Sequence, residues 1–343
     1  STPMFTLFPY TTLFRSTETI APYAEAYAHY IFIAAPFMIC SFIMNNLLRF
    51  QGKASFAMVG ITVGGLLNIA LDPLFIFTLD MGTAGAALAT GLSQFISFCI
   101  LLWMCNHQDS CISISIRKFR PKLAIYREVL YGGIPSLGRQ GIASVATILM
   151  NFMCQPYGDA AIAAMSIVSR FMFFINSVII GFGQGFQPVC SYCFGAGLYD
   201  RVKKACWFCI RVSTIILLVL SVISFPAARS IITLFRRNDP TVIEIGTLAL
   251  RLQLITLPLQ GAVIMGNMMP QSIGYGFRAT LVSTARQGIF LIPLLTIMTY
   301  TIGLLGIQCA QPLADIATFI LSLFVIRGIF KEFPEDASSF AAQ

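Results

Sequence analysis

Long apolar stretches recur along the chain and are separated by short polar breaks that often contain Gly or Pro. A run of about twenty apolar residues is long enough for a helix to cross the hydrocarbon core of a bilayer. The pattern therefore predicts nine membrane-spanning helices. They lie at approximately residues 24–48, 54–79, 84–105, 130–155, 160–192, 205–226, 242–270, 276–300 and 304–330.

The composition supports this interpretation. Of the 343 residues, 57% are hydrophobic and 10% are charged, and the mean hydropathy is +0.80. A soluble domain contains about 25% charged residues. An all-α membrane protein is expected, and a soluble enzyme, a disulfide-rich secreted domain and a nucleic-acid-binding protein are excluded.

The net charge of +8 is explained by the positions of the basic residues. They concentrate on one set of connections and after the last span, whereas the opposite set holds only Arg236 and Arg237. Cytoplasmic loops of membrane proteins are enriched in Lys and Arg, so the basic side and the C-terminus are predicted to be cytoplasmic. The basic residues on that side are Arg49, Lys53, Arg117, Lys118, Arg120, Lys122, Arg127, Arg201, Lys203, Lys204, Arg278, Arg327 and Lys331.

The ten cysteines are interpreted as packing residues, because most lie inside apolar runs, where a thiol behaves as a small hydrophobic group. Cys190 and Cys193, and also Cys206 and Cys209, have the spacing of metal ligands. The chain has only two histidines to complete such a site. Neither a structural metal nor a cofactor is expected.

The sequence repeats itself at a distance of about 222 residues, which contains six spans. Spans one to three match spans seven to nine in the same orientation, as the two halves of many transporters do. The repeating unit is predicted to have six helices and two units twelve, so the first three helices are expected to be absent from this chain. The matched residues are Pro36 and Pro258, Asn45 and Asn267, Gly52 and Gly274, Ala57 and Ala279, Gly82 and Gly303, and Gly85 and Gly306.

Five regions are predicted from these patterns. The first lacks the layout of a signal peptide, and its residues PYTTLFRS resemble translated sequencing-adapter sequence, so it is interpreted as a non-native leader from a truncated gene; the alternative is a genuine short leader. Three helices of a partial first lobe, a cytoplasmic linker with a short surface helix, a six-helix second lobe and a cytoplasmic tail follow. The corresponding ranges are 1–16, 17–105, 106–129, 130–331 and 332–343.

The second span contains the motif Asn68-Ile-Ala-Leu-Asp72-Pro73. Residues four apart lie on one helix face, so Asn68 and Asp72 are expected to be neighbours. Pro73 bends the helix and frees a backbone carbonyl. A carboxylate within an apolar span is costly and usually marks an ion or proton pathway; the alternative is a hydrated Asp72 near the outer end. Asp80, in the outside hairpin, is expected to be solvated.

These motifs resemble those of the multidrug and toxic compound extrusion (MATE) family of cation-coupled antiporters, from about residue 20 to residue 330. The second half is most similar to the bacterial branch that includes staphylococcal-type drug exporters. The resemblance implies two six-helix lobes with pseudo-twofold symmetry around a central cavity. The matching segments are 68–73 and 82–90 in the first half, and 133–135, 185–188, 195–197 and 283–287 in the second half.

The resemblance also implies a cation site in the first lobe. Tyr27 and Thr90 would join Asn68 and Asp72 there, and the coupling ion would be H⁺ or Na⁺, with Na⁺ bound at Asp72. An Asp on the family's first helix would complete the site, and that helix is expected to be missing here.

The second lobe departs from some relatives, because the carboxylate expected after Pro135 is replaced by neutral residues around Ala143. We expect fixed positive charge and amide groups to line its cavity instead. The alternative is that the arginines lie near helix ends and extend to the lipid headgroups. The candidate cavity residues are Arg139, Gln140, Asn151, Arg286 and Gln287.

The leading functional hypothesis is a secondary transporter that exports amphipathic, often cationic compounds in exchange for H⁺ or Na⁺. A lipid-linked glycan flippase or polysaccharide exporter of the same superfamily is an alternative. An intramembrane transferase and an inactive fragment are further alternatives. The expected location is the bacterial inner membrane, as a multi-pass monomer with drug-like substrates, lipid contacts and no nucleic-acid partner.

Overall fold

The computed structural model describes residues 21–106, 122–236 and 239–333, and these are helical apart from short turns. The chain divides into two compact units, Ser1–Arg120 and Pro121–Gln343. The predicted leader at residues 1–16, most of the predicted linker and nearly all of the tail lie outside the described residues.

The first unit contains three long antiparallel helices. Helix α1 spans Ala21–Phe50, and α2 spans Ala54–Pro73 and continues as a π-helical segment, Leu74–Thr78. Helix α3 spans Gly82–Asn106 and packs against both α1 and α2. A small apolar core forms where the three meet, from Met44, Leu48, Ala57, Leu101 and Cys105.

The second unit contains the other six spans. Helices α7 and α8 are joined by a 3-10 turn, Leu257–Leu259, and α9 and α10 by a π-helical segment, Ala285–Leu291, so each pair makes one span. The helices are α4 Leu123–Cys154, α5 Asp159–Gly195, α6 Tyr199–Phe235, α7 Pro240–Thr256, α8 Gln260–Ser272, α9 Gly276–Thr284, α10 Ile292–Ile302 and α11 Leu304–Glu332.

Eight of the predicted spans form helices long and apolar enough to cross a membrane within the described ranges. The fourth, α4, is also a long helix of 32 residues. It is less hydrophobic than the others because Arg139, Gln140 and Asn151 interrupt its apolar run. The all-helical, multi-pass fold predicted from the hydropathy pattern is confirmed.

Two details of the prediction are corrected. The short surface helix predicted within the linker is not separate in the part that the structure describes, because α4 begins at Leu123 and runs unbroken into the fourth span. The sixth span was predicted to end at Pro226, but α6 continues through it to Phe235. A proline removes one backbone hydrogen bond and bends a helix, and the packing of α6 against its neighbours maintains the helix beyond it.

The internal repeat is visible as the same contacts in both units. The Asn45 amide donates to the Ala57 carbonyl at 2.8 Å, and the Asn267 amide donates to the Ala279 carbonyl at 2.6 Å. These bonds bridge equivalent turns, in which the matched residues Gly52 and Gly274 have φ of 78° and 86°. Both turns therefore need a residue that tolerates the left-handed region, which explains the repeated glycine.

Candidate functional site

The first unit brings together three of the four predicted cation-site residues. Asn68 and Asp72 lie one turn apart at the end of α2, and the Asn68 amide donates to an Asp72 carboxylate oxygen at 3.2 Å. The same amide lies 3.4 Å from the Thr90 hydroxyl of α3, which itself donates to the Ala86 carbonyl at 2.9 Å. A carboxylate, an amide and a hydroxyl thus link α2 to α3.

The backbone beside this cluster is irregular. Pro73 ends the α-helical part of α2, and the next residues, Leu74–Thr78, are wound as a π-helix. Short π-helical segments within spans often occur at functional sites. Asp72 is half-buried, and no ion pair to it occurs among the described residues. Its negative charge is thus balanced by no basic side chain in the described part of the chain.

Tyr27 does not join the cluster. It lies near the start of α1, is 42% exposed, and forms no hydrogen bond with Asn68, Asp72 or Thr90. Its assignment to the cation site remains a prediction from the family resemblance.

The second unit contains a polar cluster that the sequence analysis missed, centred on Asp315 in α11. Arg286 donates from Nε to the Asp315 Oδ1 at 2.8 Å, and Gln311 donates to the same oxygen at 3.1 Å. Gln260 donates to the Asp315 Oδ2 at 2.8 Å. The Asp315 side chain is 1% exposed and that of Arg286 is 24% exposed, so the ion pair is largely removed from solvent.

Irregular helix geometry positions this cluster. Gln260 begins α8 directly after the 3-10 turn that contains Pro258, and Arg286 lies in the π-helical segment between α9 and α10. Asp315 and Gln311 lie one turn apart on α11. The Asp315 carboxylate and the three side chains that donate to it therefore come from three separate spans.

The structure pairs the predicted fixed positive charge of Arg286 with a carboxylate. A buried charge needs a partner, and Asp315 supplies it. Gln287 is half-buried, whereas Gln140 and Asn151 are exposed, and the hydrogen bonds to Asp315 involve none of them. The Arg139 side chain lies outside the described residues. Of the four predicted cavity residues whose side chains the structure describes, only Arg286 belongs to this cluster.

A signal for Asp315 was present in the sequence. It is the sole acidic residue within the apolar run 304–330, and the argument that singled out Asp72 applies equally to it. The repeat gives a second signal, because Gln311 lies 221 residues after Thr90, at the equivalent place on the third helix of the repeat. Only the fold reveals that Gln260 and Arg286 meet it.

A metal site has little support in the described part of the chain. It contains no group of three or more His, Cys, Asp and Glu side chains that could hold a metal ion. The two cysteine pairs with metal-like spacing lie near the junction of α5 and α6, where Cys190, Cys206 and Cys209 are buried as free thiols.

The fold and the site define a polytopic membrane transporter. The MatE family profile matches residues 4–74 and 135–301, and the chain belongs to that family. It is therefore a transporter and not an enzyme, and the resemblance to the MATE transporters is confirmed. The match begins within residues 1–16, and their interpretation as a leader stays a prediction.

Individual relatives agree with this assignment. The chain is 28% identical to the multidrug export protein MepA of Staphylococcus haemolyticus over 327 residues, which cover 95% of this chain and 72% of the relative. It superposes on a MATE crystal structure in complex with MaL6 with a TM-score of 0.85, at 25% identity, covering 95% of this chain and 74% of the other. A MOP superfamily transporter from Pyrococcus furiosus gives 0.87, at 25% identity, with 95% and 73% covered.

Proposed function

We propose that the chain exports amphipathic, often cationic drug-like compounds in exchange for H⁺ or Na⁺. The observation that carries the coupling role is the half-buried carboxylate of Asp72, which has no ion-pair partner among the described residues. The relationship to a multidrug export protein of a staphylococcus supports the substrate class.

In this mechanism the cation neutralises Asp72. An unpaired charge within an apolar span is costly, and a bound cation offsets that cost. Asn68 holds the carboxylate and contacts Thr90 on α3, so a change in occupancy alters the link between α2 and α3. The bend at Pro73 is the element whose equilibrium the cation shifts, by its different affinity for the two states. Side chains alone serve this exchange, without a cofactor.

Arg286 bears on the choice between drug export and glycan transport. A flippase or polysaccharide exporter for an anionic lipid-linked glycan is expected to have a strongly basic cavity. Asp315 neutralises Arg286, the one candidate cavity arginine whose side chain is described. This pairing favours the drug exporter over the glycan flippase.

The proposal also includes a location in the bacterial cell membrane, a monomeric state and a cytoplasmic C-terminus. The basic loops support this orientation. Single-cysteine labelling in a cysteine-free background tests it. Labels at Lys53 and Lys204 should react only from inside, and labels at Asp80 and Gly158 only from outside. A reproducible reversal at any of the four positions would contradict the topology.

The experiment for coupling is accumulation of a fluorescent cationic dye in efflux-deficient cells, with the protein expressed from its complete open reading frame. Asp72→Asn keeps the size of the side chain and removes its negative charge. It should abolish gradient-driven efflux at matched expression. Asp80→Asn is the matched control, because Asp80 is exposed, with φ of 51°, a conformation that Asn tolerates.

Dye exclusion by Asp72→Asn cells equal to that of the wild type would contradict the assignment. Loss of efflux in both variants would point to a general effect of carboxylate removal rather than to coupling at Asp72.

A further inference from the structure

The third helix of the repeat carries different chemistry in its two copies. At the offset of 221 residues, Gln311 of α11 corresponds to Thr90 of α3, and Asp315 corresponds to Gln94. The second copy therefore has a carboxylate, one turn after Gln311, at the position where the first copy has a neutral amide.

The second helix of the repeat carries the compensating change. At the offset of 222 residues, Arg286 corresponds to Gly64 of α2, one turn before Asn68. A Cβ at Gly64 would lie 2.9 Å from the Ser97 Cβ, so the first copy has no room for a long side chain there. The second copy places a guanidinium at this position, and it reaches Asp315.

The two copies thus balance a membrane carboxylate in different ways. Asp72 is contacted by the amide of Asn68, and it has no basic partner in the described ranges. Asp315 accepts one hydrogen bond from a guanidinium and two from amides, and it is almost completely buried. A carboxylate whose charge is already compensated gains little from a second cation.

We propose that the Arg286 guanidinium is a built-in replacement for an exchangeable cation, so that the second unit binds no coupling ion. The inference rests on the proposed function, in which Asp72 binds that ion. Removal of the guanidinium should convert the Asp315 cluster into a site for a monovalent cation, H⁺ or Na⁺. Gln260 Oε1 is a further oxygen for such a site, since it is buried and accepts no hydrogen bond from the described residues.

Among the described side chains, Arg286 is the basic partner of Asp315. Helices α8 and α10, which pack on α11, contain no charged residue. Glu244 and Arg251 of α7 are both exposed, and Arg278 of α9 pairs with Glu332 at the far end of α11. The other helix that packs against α11, α4, carries its charges at Arg127, Glu128 and Arg139.

The experiment counts cations bound to the purified protein in an Asp72→Asn background, which removes the proposed site of the first unit. Radioactive Na⁺ is measured by equilibrium dialysis, and protons are measured by titration in weak buffer. With Arg286 intact, Asp315→Asn should change neither count. With Arg286→Gln, the protein should bind about one additional cation, and Asp315→Asn should abolish that gain. Arg286→Lys keeps a tethered charge and should show no gain.

If the protein with Arg286 intact binds a cation that is lost in Asp315→Asn, the inference is wrong. It is also wrong if the Arg286→Gln protein binds no additional cation. The charge-neutral pair Arg286→Gln/Asp315→Asn leaves no charge unpaired and should bind as many cations as the Asp72→Asn protein with Arg286 and Asp315 intact, so it decides even where either single variant fails to fold. A third outcome is that Asp72→Asn binds as many cations as the wild type and that Asp315→Asn does not change this number. That outcome would refute the proposed site at Asp72 and would leave the role of Arg286 intact.

Discussion

Asp72 in the first unit and Asp315 in the second are both carboxylates in membrane-spanning helices, yet their surroundings differ. Asp72 is half-buried and held by one amide, whereas Asp315 is 1% exposed and held by a guanidinium and two amides. A charge within a membrane must be paired or neutralised. The first unit is suited to reversible neutralisation by an ion from solution, and the second has its counter-charge fixed in the chain.

The largest expected effect on stability follows Asp315→Asn. This substitution leaves the Arg286 guanidinium uncompensated in a largely buried position, and loss of one partner of a buried pair costs about 3–5 kcal/mol. Because Arg286 is 24% exposed, we expect a cost near the lower limit. Unfolding by SDS titration in mixed micelles measures it.

The double variant Arg286→Gln/Asp315→Asn is the control for that measurement, since it removes both charges and leaves none unpaired. It should lose clearly less stability than Asp315→Asn alone. A double variant that is as unstable as the single one would show that the pairing of the charges is not the source of the effect.

A smaller effect is expected at the hairpin between α10 and α11. A Cβ on Gly306 would fall on the Met298 carbonyl, so Gly306→Ala forces the end of α10 away from α11. Overpacking of this kind costs about 1–3 kcal/mol. Gly328→Ala lies on the same helix with open space around its Cβ, and it should be nearly neutral in the same SDS titration. Equal losses in the two variants would contradict the packing argument.

The smallest effect is expected where the two units are alike. Asn45→Ala and Asn267→Ala each remove one side-chain hydrogen bond to a turn carbonyl. A typical bond of this kind contributes about 0.5–1.5 kcal/mol. Protection of the two turns against hydrogen exchange should fall by similar factors. A large loss in one turn and none in the other would show that the repeated contact is not equivalent in energy.

The sequence alone was sufficient to predict contacts between residues that are close together in the chain. Asn68, Asp72 and Pro73 lie within six residues, and helical geometry alone predicts that the first two are neighbours. The Asp315 cluster depends on residues 55 and 29 positions apart, brought together by α8, a π-helical segment and α11. Hydropathy identifies those spans but says nothing about which faces meet, so the sequence predicted Arg286 as a fixed positive charge and did not identify Asp315 as its partner.

The difference between the two carboxylates is tested most directly by dye transport in proteoliposomes with an imposed H⁺ or Na⁺ gradient. Two variants are compared with the wild type: Asp72→Asn, and the charge-neutral pair Arg286→Gln/Asp315→Asn. Asp72→Asn should lose gradient-driven transport, and the neutral pair should retain its response to the gradient. Retention by Asp72→Asn together with loss in the neutral pair would show that the coupling ion acts in the second unit.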